Sequence, residues 1–221
     1  MSFLFEIFDI FIGFLQTILT FFYGITESIG YANYGLAIIL LTIAIKMLLY
    51  PLTVKQVRSM KGMQILQPKM KELQEKYSKQ PEKLQKELAI LYKETGVNPL
   101  AGCLPMLVQM PILIGIFYAI RDFSYVSTPS FLWLQDLSAV DPTWTLPAIA
   151  AISTYIQSTQ TSPSDNKQAK VMTVLLPLFI GYISTTFPSG LVLYWAMSNI
   201  VQIAQTWWMY RMNEDIKREA A

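Results

Sequence analysis

From Val171 to Tyr210 this chain carries no charged side chain, and it carries none from Asn98 to Ile120. Between Tyr34 and Thr53 the one charge is Lys46. A helix needs about 20 consecutive apolar residues to cross a bilayer, and hydrocarbon leaves no water to satisfy an unpaired backbone amide. These runs therefore predict an all-α, polytopic membrane protein. Composition agrees, with 53% hydrophobic and 14% charged residues, against about a quarter charged in soluble domains. Five transmembrane helices are expected, over 34–53, 98–120, 144–161, 169–187 and 191–210. The last four make a core over 98–211, and a short cytoplasmic tail follows at 212–221.

Residues 1–33 read differently. Glu6, Asp9, Gly13, Gln16, Thr20, Gly24 and Glu27 recur at steps of three and four, with Phe, Ile and Leu opposite. That stripe predicts an N-terminal amphipathic helix lying in the interface rather than across the bilayer. An extra span is the competing reading. With no Lys or Arg in its first 33 residues, the segment does not read as a cleaved signal peptide.

Charge sets the expected orientation. The 54–97 segment holds ten of the 17 Lys and Arg, and the 162–170 loop and residues 211–221 hold five more. On the other side Arg121 is the one cation. The positive-inside rule then puts the N-terminus outside and the C-terminus in the cytoplasm. Segment 54–97 is polar but patterned. Met63, Leu66, Met70, Leu73 and Tyr77 form a heptad-like seam, Ser78 to Pro81 break it, and Leu84, Leu88 and Leu91 resume it. This predicts a cytoplasmic antiparallel helical hairpin. Weak junctions at Pro51 and Gly96 suggest that residues 56–95 move as a unit. Arg58, Lys61, Met63, Lys69 and Lys71 are its candidate contacts for a client or a ribosome, against a plain solvated face.

The chain has no His and one Cys, Cys103. That excludes His-based catalysis, an intrachain disulfide and Cys or His metal clusters. No phosphate-binding GxxxxGK[ST] loop is present. No catalytic residue, metal or cofactor is expected.

Polar residues inside the spans carry what functional signal there is. Lys46 lies seven residues before Thr53, about 10 Å within the span. A charge there costs about 2.5–3.5 kcal/mol on insertion scales, unless it snorkels to the headgroups. No Asp or Glu lies in the same spans to pair with it. Thr42 shares its face. Asn98, Gly102, Pro105 and Gln109 form a stripe in the second span, and Ser153, Thr154, Gln157 and Thr161 one in the third. Trp195, Ser198, Asn199, Gln202 and Gln205 form another in the fifth. Interhelical hydrogen bonds explain many such residues. A hydrated groove open to the cytoplasm explains them together with the unpaired Lys46. Its candidate lining is Lys46, Thr42, Gln157, Trp195, Ser198 and Gln202.

Several long strings carry a resemblance. LLYPLTVKQVRSMKGMQILQPKMKELQEKY, LYKETGVNPLAGCLPMLVQMPILIGIFYAI, FLWLQDLSAVDP and FPSGLVLYWAMSNIVQIAQTWWMYR resemble the YidC-type membrane protein insertases, over about Tyr34 to Arg211. The resemblance implies a five-span insertase core with a hydrophilic groove, a cytoplasmic hairpin and no catalytic chemistry. Its implied partners are nascent membrane proteins, the lipid bilayer, and the ribosome and Sec translocon, with no DNA. The implied location is a bacterial-type cytoplasmic membrane. Where the family commonly has a groove Arg, this chain has Lys46, a point charge in place of a planar fork. A channel or solute transporter would use the same stripes, and an assembly scaffold would need no groove. The missing membrane carboxylates and internal repeats weigh against a transporter.

Overall fold

The computed structural model describes residues 2–96, 104–126, 129–161 and 167–219, with the backbone alone at 2–5, 104–107, 161, 167–170 and 213–219. Asn98, Gly102, Cys103 and the 162–166 loop lie outside the described residues. Among the described residues the chain forms eight helices: α1 (Ser2–Ser28), α2 (Tyr34–Leu48), α3 (Tyr50–Lys76), α4 (Pro81–Thr95), α5 (Leu104–Arg121), α6 (Thr145–Thr161), α7 (Lys167–Ser184) and α8 (Ser189–Glu219). No strand forms, only an isolated bridge between Phe131 and Leu134.

α8 is the mast of the bundle. It packs on α2, α5 and α6, while α7 packs on α6. α7 leaves Val171, Val174, Leu175, Leu178, Phe179 and Tyr182 exposed. Water does not tolerate so continuous an apolar wall on a folded chain, whereas hydrocarbon does.

One end of the bundle carries the loop from Asp122 to Trp144, and it is tightly closed. Ile38, Ile116, Ile120, Leu137 and Tyr194 are fully buried there. The first N–H groups of a helix have no partner within it, and here the loop supplies them for α8. The Ser189 N–H and hydroxyl both donate to the Ala139 carbonyl, at 2.7 and 2.6 Å. The Gly190 N–H donates to the Leu137 carbonyl at 2.8 Å. A Cβ on Gly190 would lie 3.1 Å from Ile120 Cγ2 and 3.2 Å from the Leu137 carbonyl oxygen, and one on Gly35 would collide with the Phe131 ring. Buried Asp141 ties the start of α6 to this loop. It accepts from the Leu146 N–H at 2.7 Å and from the Thr143 N–H and hydroxyl at 2.9 and 2.7 Å. Burial opposes its charge, but these bonds outweigh burial and hold its pKa below the ordinary carboxylate value.

α1 packs against this closed end and has three faces, each roughly a third of the circumference. Phe11, Leu15, Leu19, Phe22 and Tyr23 pack on the core. Glu6, Asp9, Gly13, Thr20, Gly24 and Glu27 are exposed and form the polar stripe. Ile7, Ile10, Phe14, Phe21 and Ile25 are exposed and apolar. By length and hydropathy Glu6–Ser28 is, among the described residues, the one helix able to cross a bilayer, with the bent α2–α3 pair a second. Its contacts are to α5 and α2. Phe8 packs edge-on against Tyr118, Phe11 and Leu15 press on Gly115, and Gln16 donates to the Ala119 carbonyl at 3.4 Å. Two turns of α1 thus meet a single turn of α5, and α1 packs on α2 as well, where Tyr23 stacks on Tyr34.

At the other end α2 stops at Leu48 and the chain bends by 65° into α3. Pro51 causes the break: it has no N–H for the Met47 carbonyl, and its ring restricts Tyr50. α3 and α4 are joined by a turn at Tyr77–Gln80, and Gly96 ends α4 with φ +67°. Gln56, Val57 and Leu66 of α3 are buried, whereas no residue of α4 is. Gln64 Nε2 donates to the Gln160 carbonyl at 3.3 Å, and Lys61 Nζ sits 5.3 Å above the Tyr210 ring. Within residues 56–95, the first half of α3 therefore touches α6 and α8 through Gln64 and Lys61. Pro68, two residues beyond Leu66, denies the Gln64 carbonyl its helical partner.

Candidate functional site

The chain break at Leu49 changes the setting of Lys46. An unbroken helix to Thr53 would hold this cation mid-span, but with α2 ending at Leu48 Lys46 stands in its last turn. There the negative end of the helix dipole favours a cation. Lys46 is 8% exposed. Its Nζ donates to Gln202 Oε1 at 3.2 Å, and its own carbonyl accepts from Gln205 Nε2 at 3.3 Å. Among the described residues the one ion pair is Arg121–Asp122, so the charge of Lys46 is held by dipoles and not by a carboxylate.

α8 carries this polar layer to the other helices. Gln109 Nε2 of α5 donates to the Tyr194 hydroxyl at 2.9 Å. Trp195 Nε1 donates to Thr154 Oγ1 at 3.1 Å, and Asn199 Nδ2 donates to the same oxygen at 2.9 Å and to Ser153 Oγ at 3.2 Å. Thr154 in turn donates to the Ala150 carbonyl at 2.7 Å, so its hydroxyl is fully used. One helix thus offers α2 two amides, α5 a phenol, and α6 an indole and an amide.

The residues singled out from sequence occupy distinct settings in this layer. Lys46 and Gln202 meet directly. Trp195 reaches Thr154 rather than open space. Thr42 is fully buried, its hydroxyl spent on the Ile38 carbonyl at 2.7 Å. Ser198 is buried and Gln157 half-buried. In the hairpin Arg58, Lys69 and Lys71 are exposed, Met63 is half-buried, and Lys61 is turned back onto Tyr210. Sequence reasoning missed Tyr194 and Thr206, two buried members of α8. Tyr194 stands four residues before Ser198, on the polar stripe, which was the available signal. It also missed the anchor at Gln160, whose carbonyl accepts from both Gln64 and Tyr210, the latter at 3.4 Å.

The family described as 60Kd inner membrane protein matches residues 24–217. This chain belongs to that family. It is 45% identical over 197 residues to the membrane protein insertase MisCA of Bacillus subtilis, covering 83% of this chain and 75% of that one. To the membrane protein insertase YidC of Alkalihalophilus pseudofirmus it is 41% identical over 194 residues, covering 85% and 77%. The family also has longer members: the match to YidC of Francisella tularensis subsp. novicida, 45% identical, covers 79% of this chain but 32% of that one. Among solved structures, an active YidC insertase crystal structure with its first transmembrane domain resolved matches with a TM-score of 0.70 and 31% identity, over 90% of this chain and 45% of that chain. The family's helical membrane fold is therefore the fold of this chain, as the spans and the YidC-type strings implied.

Proposed function

We infer that this chain is a membrane protein insertase of the cell membrane, acting on nascent hydrophobic segments without covalent chemistry. Family membership supports the activity. The observation that carries the mechanism is Lys46, a nearly buried cation with no carboxylate partner among the described residues, on a polar layer inside an apolar bundle.

A polar tail faces a steep barrier in bare lipid because nothing there replaces its water hydrogen bonds. In our reading the hairpin end faces the cytoplasm, and the polar layer between α2, α6 and α8 parts to admit the tail. Lys46, Gln202, Ser198 and Gln157 then stand in for water over the inner half of the membrane. Thr42 and Trp195 brace this layer through their bonds to Ile38 and Thr154. The closed loop end keeps the passage from becoming a pore. The hydrophobic segment leaves sideways into lipid along the exposed apolar wall, driven by burial worth about 25 cal/mol per Å². The exposed Arg58, Lys69 and Lys71 give the hairpin a basic surface for a ribosome, and the Sec translocon is the second implied partner. The N-terminus is outside, α1 rests on the outer leaflet, and the C-terminus is cytoplasmic.

The test is rescue of insertase-depleted cells, followed by protease mapping of newly made small membrane proteins. Lys46→Arg should rescue, since it keeps the sign of the charge. Lys46→Glu should fail, most of all for clients with acidic tails. Insertion of an acidic-tailed client at the native rate by an abundant, folded Lys46→Glu protein would sink the electrostatic reading.

A further inference from the structure

The two amides that α8 presents to the end of α2 are one helical turn apart and grip the same residue at both ends. Gln205 takes the Lys46 carbonyl, and Gln202 takes the Lys46 ammonium. The carbonyl needs an outside donor because α2 stops two residues later, among the unpaired carbonyls of a helix terminus. The ammonium has three N–H groups, and Gln202 Oε1 at 3.2 Å takes one. Gln205 fixes where the cation is based, and Gln202 fixes where it points.

The chemical type of that second partner matters. A carboxylate at 202 would neutralise the ammonium through a charge-assisted bond roughly twice as strong as a neutral one. An apolar side chain would leave the ammonium without an acceptor. An amide does neither: it holds the ammonium in place and leaves its charge intact.

We propose that Gln202 is a specificity-determining positioning residue, a neutral stand-in that a client's carboxylate displaces from Lys46. This rests on the insertase reading. Its substrate class is nascent segments whose leading tails carry Asp, Glu or a free C-terminal carboxylate. Such a tail exchanges an ammonium–amide contact for an ammonium–carboxylate one, and Gln202 is released to hydrogen-bond the tail's backbone. Neutral tails gain nothing by the exchange.

The experiment uses the full chain in lipid vesicles with two clients that differ only in tail charge, acidic or neutral. The readout is the ratio of their protease-protected yields. Gln202→Glu should lower the acidic-to-neutral ratio about tenfold, equivalent to about 1.4 kcal/mol, because the internal carboxylate outcompetes the tail. Gln202→Leu should not lower it, since it removes the competitor. The Lys46→Arg/Gln202→Glu pair, two matched charges, repeats the first test in a second background should the single variant fail to accumulate. A ratio equal to the parent's in the Glu variants, with Lys46→Glu still discriminating, overturns this role and leaves the insertase reading standing. A fall as large in Gln202→Leu also overturns it, because the amide is then a strut and not a stand-in. If Lys46→Glu does not discriminate either, both readings fail together.

Discussion

The docking of α3 predicts a boundary within the hairpin that can be measured. Replacing Gln64 with Leu and Lys61 with Gln removes one amide–carbonyl hydrogen bond, worth about 0.5–1.5 kcal/mol net, and one exposed cation–π contact, worth about 0.5–1 kcal/mol. Tyr210 still donates to the Gln160 carbonyl, so no acceptor is left bare and the loss is the two contacts alone. The sum, about 1–2.5 kcal/mol, makes opening of the first half of α3 about 5- to 70-fold more frequent. Amide exchange of the protein in lipid discs should rise by that factor over residues 54–66. It should not change in α4, where no residue is buried. In the parent, protection should fall sharply across Pro68. If residues 54–66 of the parent already exchange as fast as α4, or the double variant leaves their rate unchanged, α3 is not held in the way these contacts imply.

Gly115→Ala puts a Cβ 2.5 Å from the Phe11 ring and 3.0 Å from Leu15 Cδ1. Overpacking of about 1–3 kcal/mol should lower the Tm and expose the Gly30–Tyr31 link to protease, and an unchanged Tm and cleavage rate would refute the α1–α5 contact. Thr154→Val leaves the Trp195 indole without its acceptor and Asn199 with Ser153 alone, so it should cost about 1–3 kcal/mol, more than Ser153→Ala. Equal melting of the two variants would show that Thr154 is not the shared acceptor. Because the pKa of Asp141 is lowered by folding, its stabilisation is fully present above the ordinary carboxylate value of about 3.9 and is lost as pH falls through the lowered one. Acid melting followed by Trp133 and Trp144 fluorescence should lose that component in Asp141→Asn, and superimposable acid profiles would contradict it.

Much of this arrangement was legible in the chain because lipid enforces it. A run such as Val171 to Tyr210, with no charge at all, has few places to go, and α7 and most of α8 occupy it. The polar stripe of α8 was visible as spacing, and four of its five members have named partners on α2 and α6. What spacing could not supply was the partner. Trp195 read as groove lining and Thr154 as one member of the third span's polar stripe, and they bond to each other. Lys46 read as mid-span because the apolar run continues to Thr53, and how far back a proline breaks a helix depends on the packing around it. The docking of α3 was hidden for a different reason: its acceptor is the backbone carbonyl of Gln160, and a carbonyl has no letter in the sequence.

The two ends of the bundle are joined by different kinds of contact, and this decides how it can deform. At the base, Gly190 lies against the Leu137 carbonyl, and the start of α8 is bonded to backbone carbonyls of the loop. Such joints have no slack, since no rotamer can change to take up a displacement. At the opposite end the helices hold one another through long amides of Gln64, Gln202 and Gln205, which can trade partners by turning a side chain. Strain entering anywhere must therefore emerge as splaying at the hairpin end, with α2 and α6 behaving as levers on a rigid fulcrum. Displacement along a lever grows with distance from its pivot, so travel where Lys46 and Gln202 meet exceeds that where Trp195 meets Thr154. The same asymmetry sorts sequence change: the base should reject even a methyl group, while the far end accepts substitutions that keep a donor or an acceptor within reach.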